Sequence, residues 1–410
     1  MKKDVQCERQ IVRSLAEILA EHSKEKENER IIQRWKDVNA LRKPDRAPVW
    51  CRPVGCWKEL LPQEALKCND PWLRGLEYRF RQLLIKKEIG DDEPIMPYFE
   101  VNAIFDVKPA NIWGVEVGKH KPTSDGGAWA YDPPLKTEAD FDNLIVPKHS
   151  YNKQATNELL EKTHELLGDI MDVRLQYGPD FDSATMGTAA ADLRGLEQMM
   201  MDMIAQPKLM HRLAKYLLEA QQGKLDIWEK SGMITPNNNM PMLLSDPIGS
   251  SKADGSFSLS NCWCAANSQE FDQVSASMWE EFCLNYQKQI FKRFGYVCYG
   301  CCENLAKKLD GVLSIPNLRI LVCSAWTGLD AVLARVDKDY CIMWRQKASD
   351  VVFPDDIKKI RQDLEEGLKK LKGQYFQVVL RELQTLCDHR DRLHAWADIA
   401  KELAAKYASF

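Results

Sequence analysis

Two thiols and a carboxylate, Cys301, Cys302 and Glu303, follow directly on an apolar run, Tyr296-Val-Cys-Tyr299, that breaks at Gly300. Cysteine and glutamate in this proximity can bind zinc, supply a nucleophile or move a proton. If the strand continues past the glycine, alternation puts Cys301 and Glu303 on one face and Cys302 on the other. The plainer alternative is a buried strand end with inert thiols, since free cysteine is among the most buried residue types.

The elements around this point decide how such groups would be presented. An amphipathic helix over 278–290 leads in, Gly295 stops it, and a further helix follows from Leu305. Helix, glycine, buried strand and then reactive side chains is the order in which parallel-sheet enzymes carry their chemistry at strand C-termini. The same alternation recurs along the chain, with strands near 49, 96, 174, 243, 298, 321, 342 and 379. About eight strands at this spacing predict a closed (β/α)8 barrel of the TIM type. The barrel is assigned to 46–410, and residues 1–45 form a charged N-terminal helical extension ended by Pro44 and Pro48. From 102 to 150 the chain is rich in Gly, Pro, Trp and Asp and lacks periodicity, which predicts a substrate-facing loop or lid. The methionines at 199–203 read as core filling and His211 as structural. No Gly-x-Gly-x-x-Gly follows the first strand, and the loop Gly249 to Ser260 lacks the Gly-Lys-Ser/Thr of a phosphate loop, so neither nucleotide-binding signature is present.

Bulk properties narrow the class. The 410 residues are 45% hydrophobic and 28% charged with a net charge of −4, an ordinary globular balance. That charge gives no attraction to nucleic acid or an anionic membrane. No run of about 18 apolar residues occurs and the polar N-terminus does not resemble a secretory signal, so a cytoplasmic protein is expected. Thirteen cysteines without a disulfide-like spacing fit a reducing, anaerobic cell.

Leu259-Ser-Asn-Cys-Trp263, Ser268-Gln-Glu270, Val274-Ser-Ala-Ser-Met-Trp-Glu-Glu-Phe282, Phe294-Gly-Tyr-Val-Cys-Tyr-Gly-Cys-Cys-Glu303, Asp192-Leu-Arg-Gly-Leu-Glu197 and Asp391-Arg-Leu-His-Ala-Trp396 resemble the uroporphyrinogen decarboxylase superfamily, in its corrinoid-dependent methyltransferase branch. The resemblance spans roughly 45–410 and implies a TIM-type barrel with its site at the C-terminal face. Decarboxylases of the superfamily grip porphyrin carboxylates with an arginine-rich loop; the matching stretch here, Cys51-Arg-Pro-Val-Gly-Cys-Trp-Lys58, has one arginine. The methyltransferases often hold zinc through His-x-Cys and a later Cys. Here Tyr299 stands at the His, Cys301 matches the first Cys, and Trp344-Arg345 occupies the later position. An altered zinc site of Cys301, Glu303 and Cys323 is one expectation.

The resemblance implies methyl transfer from a methylated small molecule, an aryl methyl ether first and a methylamine second, to the Co(I) corrinoid of a separate protein. No Asp-x-His-x-x-Gly corrinoid motif occurs in this chain. Glu303 or Tyr299 would protonate the departing oxygen or nitrogen. Trp263, Trp326 and Trp344 would pack on the substrate, and Asp246, Glu270 and Arg345 would supply polar contacts. A homodimer is left open. The alternatives are corrinoid-to-thiol methyl transfer, and a decarboxylase or non-catalytic barrel.

Overall fold

The computed structural model describes residues 2–123, 129–354 and 356–408. Six strands form one curled parallel sheet in the order Val49–Pro53, Tyr375–Leu383, Cys341–Gln346, Leu318–Cys323, Tyr296–Tyr299, Trp263–Ala266. Helices pack on its convex face, where Tyr299, Leu321, Ile342, Val378 and Leu380 meet Phe291, Leu364, Leu368 and Trp396. The concave face is apolar too. Trp50, Trp263, Cys298, Ile320, Met343 and Val379 close on Trp35 and Val38 of helix Lys26–Asn39 and on Met242 and Leu244. Burial on both faces is why these strands read as continuous apolar runs rather than alternating ones.

Two more strands, Tyr98–Asn102 and Asp172–Gln176, pair in parallel apart from the main sheet, with Glu100 opposite Arg174 and Asn102 opposite Gln176. Phe99 and Val101 bury against Leu15, Leu73, Phe80 and Leu166, so Tyr98, Glu100 and Asn102 present the other face. Helix Pro71–Ile89 behind them starts with Asp70 accepting from the Trp72 and Leu73 amides and ends at Gly90 with φ of 80°, a normal cap at each end.

A continuous ladder of eight strands, expected from the sequence, is not present among the described residues. The two edges of the six-stranded sheet are satisfied instead by loop backbone, the Asp92 amide donating to the Val49 carbonyl and the Ala265 amide to the Phe181 carbonyl, and by side chains. The Val49 amide donates to Asp92 and the Cys51 amide to Asp91. At the other edge Asn237 accepts from the Trp263 amide and donates to the Trp263 carbonyl. Edge groups need partners, and here loop backbone together with carboxylate and amide side chains does what a neighbouring strand would.

The strand expected near 243 is a single turn of 3-10 helix, Pro241–Leu243. Its apolar run plugs the concave face, and its carbonyls are met by side chains: Asn39 donates to Met242 and Leu244, and Gln377 to Met242. Trp263–Ala266 takes the sheet position assigned to it. Within 102–150, Phe105–Lys108 pairs antiparallel with Lys148–Tyr151, and Gly118–His120 with Ala130–Asp132. Residues 124–128 of that loop, and Met1 of the N-terminal extension, lie outside the described residues. No helix among those described is long and apolar enough to cross a membrane.

Candidate functional site

Gly300, at φ of 110°, breaks the strand geometry that alternation would have extended. A Cβ there would come within 3.0 Å of Leu305 and Val322, so the turn depends on glycine. Beyond it the backbone folds back and Glu303 ends up only 2% exposed. One carboxylate oxygen accepts from the Ser268 amide at 2.8 Å, the other from the Cys301 amide at 2.9 Å. Burial pushes its carboxyl above the usual range, against the backbone N–H groups that favour the charged form. Glu303 therefore clamps two loops together. Expected to face a substrate, it does not line the large cavity described below.

Tyr299 is fully buried on the convex face, packed against Trp279 and Phe291, with its hydroxyl donating to Gln287 at 3.0 Å. Its parity carries it away from the strand-end groups it was expected to join. Trp344 also faces outward: a Cβ at Gly367 of helix Ile357–Leu371 would lie 2.2 Å from its ring. Trp263 is buried on the concave side, its indole donating to Ser245 at 3.1 Å. Trp326 is 59% exposed, with the Lys347 ammonium 5.0 Å from its ring centre. Asp246 pairs with Arg42 at 2.8 Å beside the N-terminal helices. Glu270 accepts from Thr188 at 2.7 Å. These expected binding residues do not share one cavity.

The thiols differ. Cys301 and Cys302 lie 3.5 Å apart, and Cys302 is 2.9 Å from a Glu382 oxygen. Hydrogen bonding from Cys302, helped by the charges of Arg345 and Arg381, pulls Cys301 down to about 5 against its burial. Cys302 is pushed up by the neighbouring Cys301, by burial and by Glu382. Arg345 donates to the Cys301 carbonyl and pairs with Glu382.

The zinc set expected from Cys301, Glu303 and Cys323 does not fit. Both Glu303 oxygens are committed to backbone amides. Cys323 is fully buried on the convex side, donates to the Thr327 carbonyl and is pushed up to about 12 by burial. Cys301 faces guanidinium groups, where a divalent cation would be repelled. No cluster of three or more His, Cys, Asp or Glu with metal-holding geometry occurs among the described residues.

A cavity of about 760 Å³ runs instead along Tyr98–Asn102 and Asp172–Gln176, from Met96 and Met171 before the strands to Ala103 and Gly178 beyond their C-terminal ends. Glu100, Asn102, Gln176 and Asn239 give it polar groups, and Tyr98, Phe105 and Trp228 give it aromatic walls. Phe105, Val107 and His149 bring the 102–150 segment to its rim. Asn239 donates to one Glu100 oxygen, and burial raises the Glu100 carboxyl. Arg79 is crowded by protein, which lowers its pKa, yet its guanidinium stays open to this cavity. It also lines an adjoining cavity of about 360 Å³ with Arg52. Glu100 was legible only as a charged residue within an otherwise apolar strand, Tyr98-Phe-Glu-Val101.

No protein-family model matches the chain, and a search of the curated proteins finds no match.

Proposed function

We propose that this protein is a methyltransferase that moves a methyl group from a methylated small molecule, held in the 760 Å³ cavity, to the Co(I) corrinoid of a partner protein. In this reading the curled sheet and the separate strand pair work as one (β/α)8 barrel, joined at two seams by Asp91, Asp92 and Asn237 in place of ladder bonds. The observation that carries the proposal is Glu100: a half-buried carboxyl with a raised pKa facing an aromatic cavity along a pair of parallel strands. Ligand sites of such sheets lie at the C-terminal ends, which the cavity reaches.

The partner's corrinoid supplies the nucleophile that takes the methyl group. The chain's task is to hold the donor and to protonate the departing oxygen or nitrogen. Asn239 occupies one oxygen of Glu100, which leaves the other free for the proton. Tyr98, Phe105 and Trp228 offer ring faces for an aryl ether or a methylammonium and keep water from the reacting bond. All thirteen cysteines are free thiols, which fits the reducing cytoplasm that a Co(I) partner requires.

The test is a spectroscopic assay of corrinoid methylation with the chain, a Co(I) corrinoid protein and aryl methyl ether or methylamine donors. Donor-dependent methylation that collapses in Glu100→Gln is expected. Absence of methylation with every donor, or full activity in Glu100→Gln, refutes the proposal.

A further inference from the structure

Three neighbouring strands each carry an arginine near the C-terminal end. Arg345 lies opposite Val379 in the ladder between Cys341–Gln346 and Tyr375–Leu383, and Val379 is on the concave face. Arg381, two residues on, shares that face. Trp50 also pairs with Val379 and Cys51 with Leu380; the register shifts between Cys51 and Pro53, and Arg52 there stands close enough to Arg381 to repel it. The ends of these three strands thus gather three guanidiniums.

Their partners do not balance them. Arg345, 3% exposed, is held by the Cys301 carbonyl and by Glu382. The Nε of Arg381 is buried and bonded to nothing among the described residues. Arg52 has no hydrogen bond or ion pair there either, and it lines the 360 Å³ cavity beside Arg79 and Glu93. Glu382 is the carboxylate bonded to the group, and it serves Arg345; the Cys301 thiol, drawn toward thiolate by Arg345 and Arg381, is the second acid, so two acids face three guanidiniums. Burial, with repulsion from Arg345 and Arg52, lowers Arg381 to about 10. Like charges gathered out of water destabilise an empty protein, and such an arrangement is typical of a functional site.

We propose that Arg52, Arg345 and Arg381 form an oxyanion subsite, which holds a carboxylate or phosphate by planar, paired N–H donors. The occupant that fits the functional reading above is a carboxylate on the methylated donor; the subsite itself does not depend on that reading. A phosphate on the partner's cofactor is the other source of the same chemistry.

Purified full-length chain is titrated with benzoate, inorganic phosphate, neutral benzamide and, at matched ionic strength, chloride, by calorimetry and thermal unfolding. Benzoate or phosphate is expected to bind and raise Tm, and benzamide and chloride are not. Tighter benzoate assigns the site to the donor, tighter phosphate to the partner's cofactor. Arg381→Met and Arg52→Met are each expected to weaken the anion at least about tenfold, while the anion-free variants unfold no lower than the parent. If Arg381→Met does not fold, Arg52→Met, at a part-exposed position, decides alone. Equal binding of both oxyanions by parent and Arg52→Met overturns the subsite, as does no effect of either beyond chloride. Anion binding without any methyl transfer leaves the subsite standing and overturns the functional reading instead.

Discussion

The strand end at Cys301 to Glu303 and the cavity beneath Tyr98–Asn102 are opposites. The first is rich in reactive residue types, yet most of its groups are spent on one another: Glu303 on two amides, Arg345 on a carbonyl and Glu382, Cys302 between Cys301 and Glu382. The second has ordinary residues, Glu100, Arg79, Asn102 and Gln176, but groups that face open space. Chemistry on a small molecule needs unspent donors and acceptors next to room for the molecule. Residue type is visible in a sequence, and free bonding capacity is not.

The sharpest way to break this contrast is to neutralise one carboxylate in each region. Glu100→Gln is expected to lower kcat by roughly 10²–10⁴-fold with KM little changed, the usual scale for a lost general acid. Glu303→Gln should leave kcat of the folded protein near the parent's. The reverse pattern in the corrinoid methylation assay would return the chemistry to the strand end.

The thiol pair gives a second handle. An ordinary thiol loses thiolate about tenfold per pH unit below its pKa of about 8.5. With Cys301 drawn down to about 5, its alkylation by iodoacetamide should be nearly flat between about pH 6 and about pH 8. The linked stability has the same sign: it is fully present above the unfolded thiol's pKa and fades as pH falls through about 5. A rate at Cys301 that climbs steadily across that range would show that the arginines do not hold a thiolate.

Smaller effects should appear in stability alone. Glu303→Gln places an amide donor against a backbone N–H and removes a charged acceptor, a loss of about 1.5–3 kcal/mol by denaturant unfolding. Tyr299→Phe removes one buried hydrogen bond to Gln287 and should cost about 1 kcal/mol, with activity unchanged. A large activity loss in the tyrosine variant would mean that the hydroxyl reaches the substrate after all.

Much of the fold was legible because glycine, proline and apolar runs mark the strands and helices directly. The run at Met242-Leu243-Leu244 misled because an apolar stretch after Pro241 suits a plug as well as a strand, and only the distant Asn39 and Gln377 side chains decide which. Side-chain direction was harder. With both faces of the sheet buried, nothing in Tyr296-Val-Cys-Tyr299 says that Tyr299 points to the helices while Cys298 points inward. Another signal lay in plain view: Arg52, Arg345 and Arg381 each interrupt the end of an apolar strand, and of these Arg345 is bonded within the fold whereas the Nε of Arg381 is not among the described residues.

The floor of the curled sheet also has a consequence in time. Asn39, at the end of helix Lys26–Asn39, bonds to Gln377 across 338 positions of sequence and to the Met242 and Leu244 carbonyls. During synthesis this helix leaves the ribosome 338 residues ahead of Gln377, so its seat is finished only when the strand Tyr375–Leu383 has emerged. Until then the apolar side of Trp35 and Val38 has nowhere permanent to rest. The nascent chain therefore carries a sticky, unseated helix through that interval, in which unfinished chains are prone to aggregate.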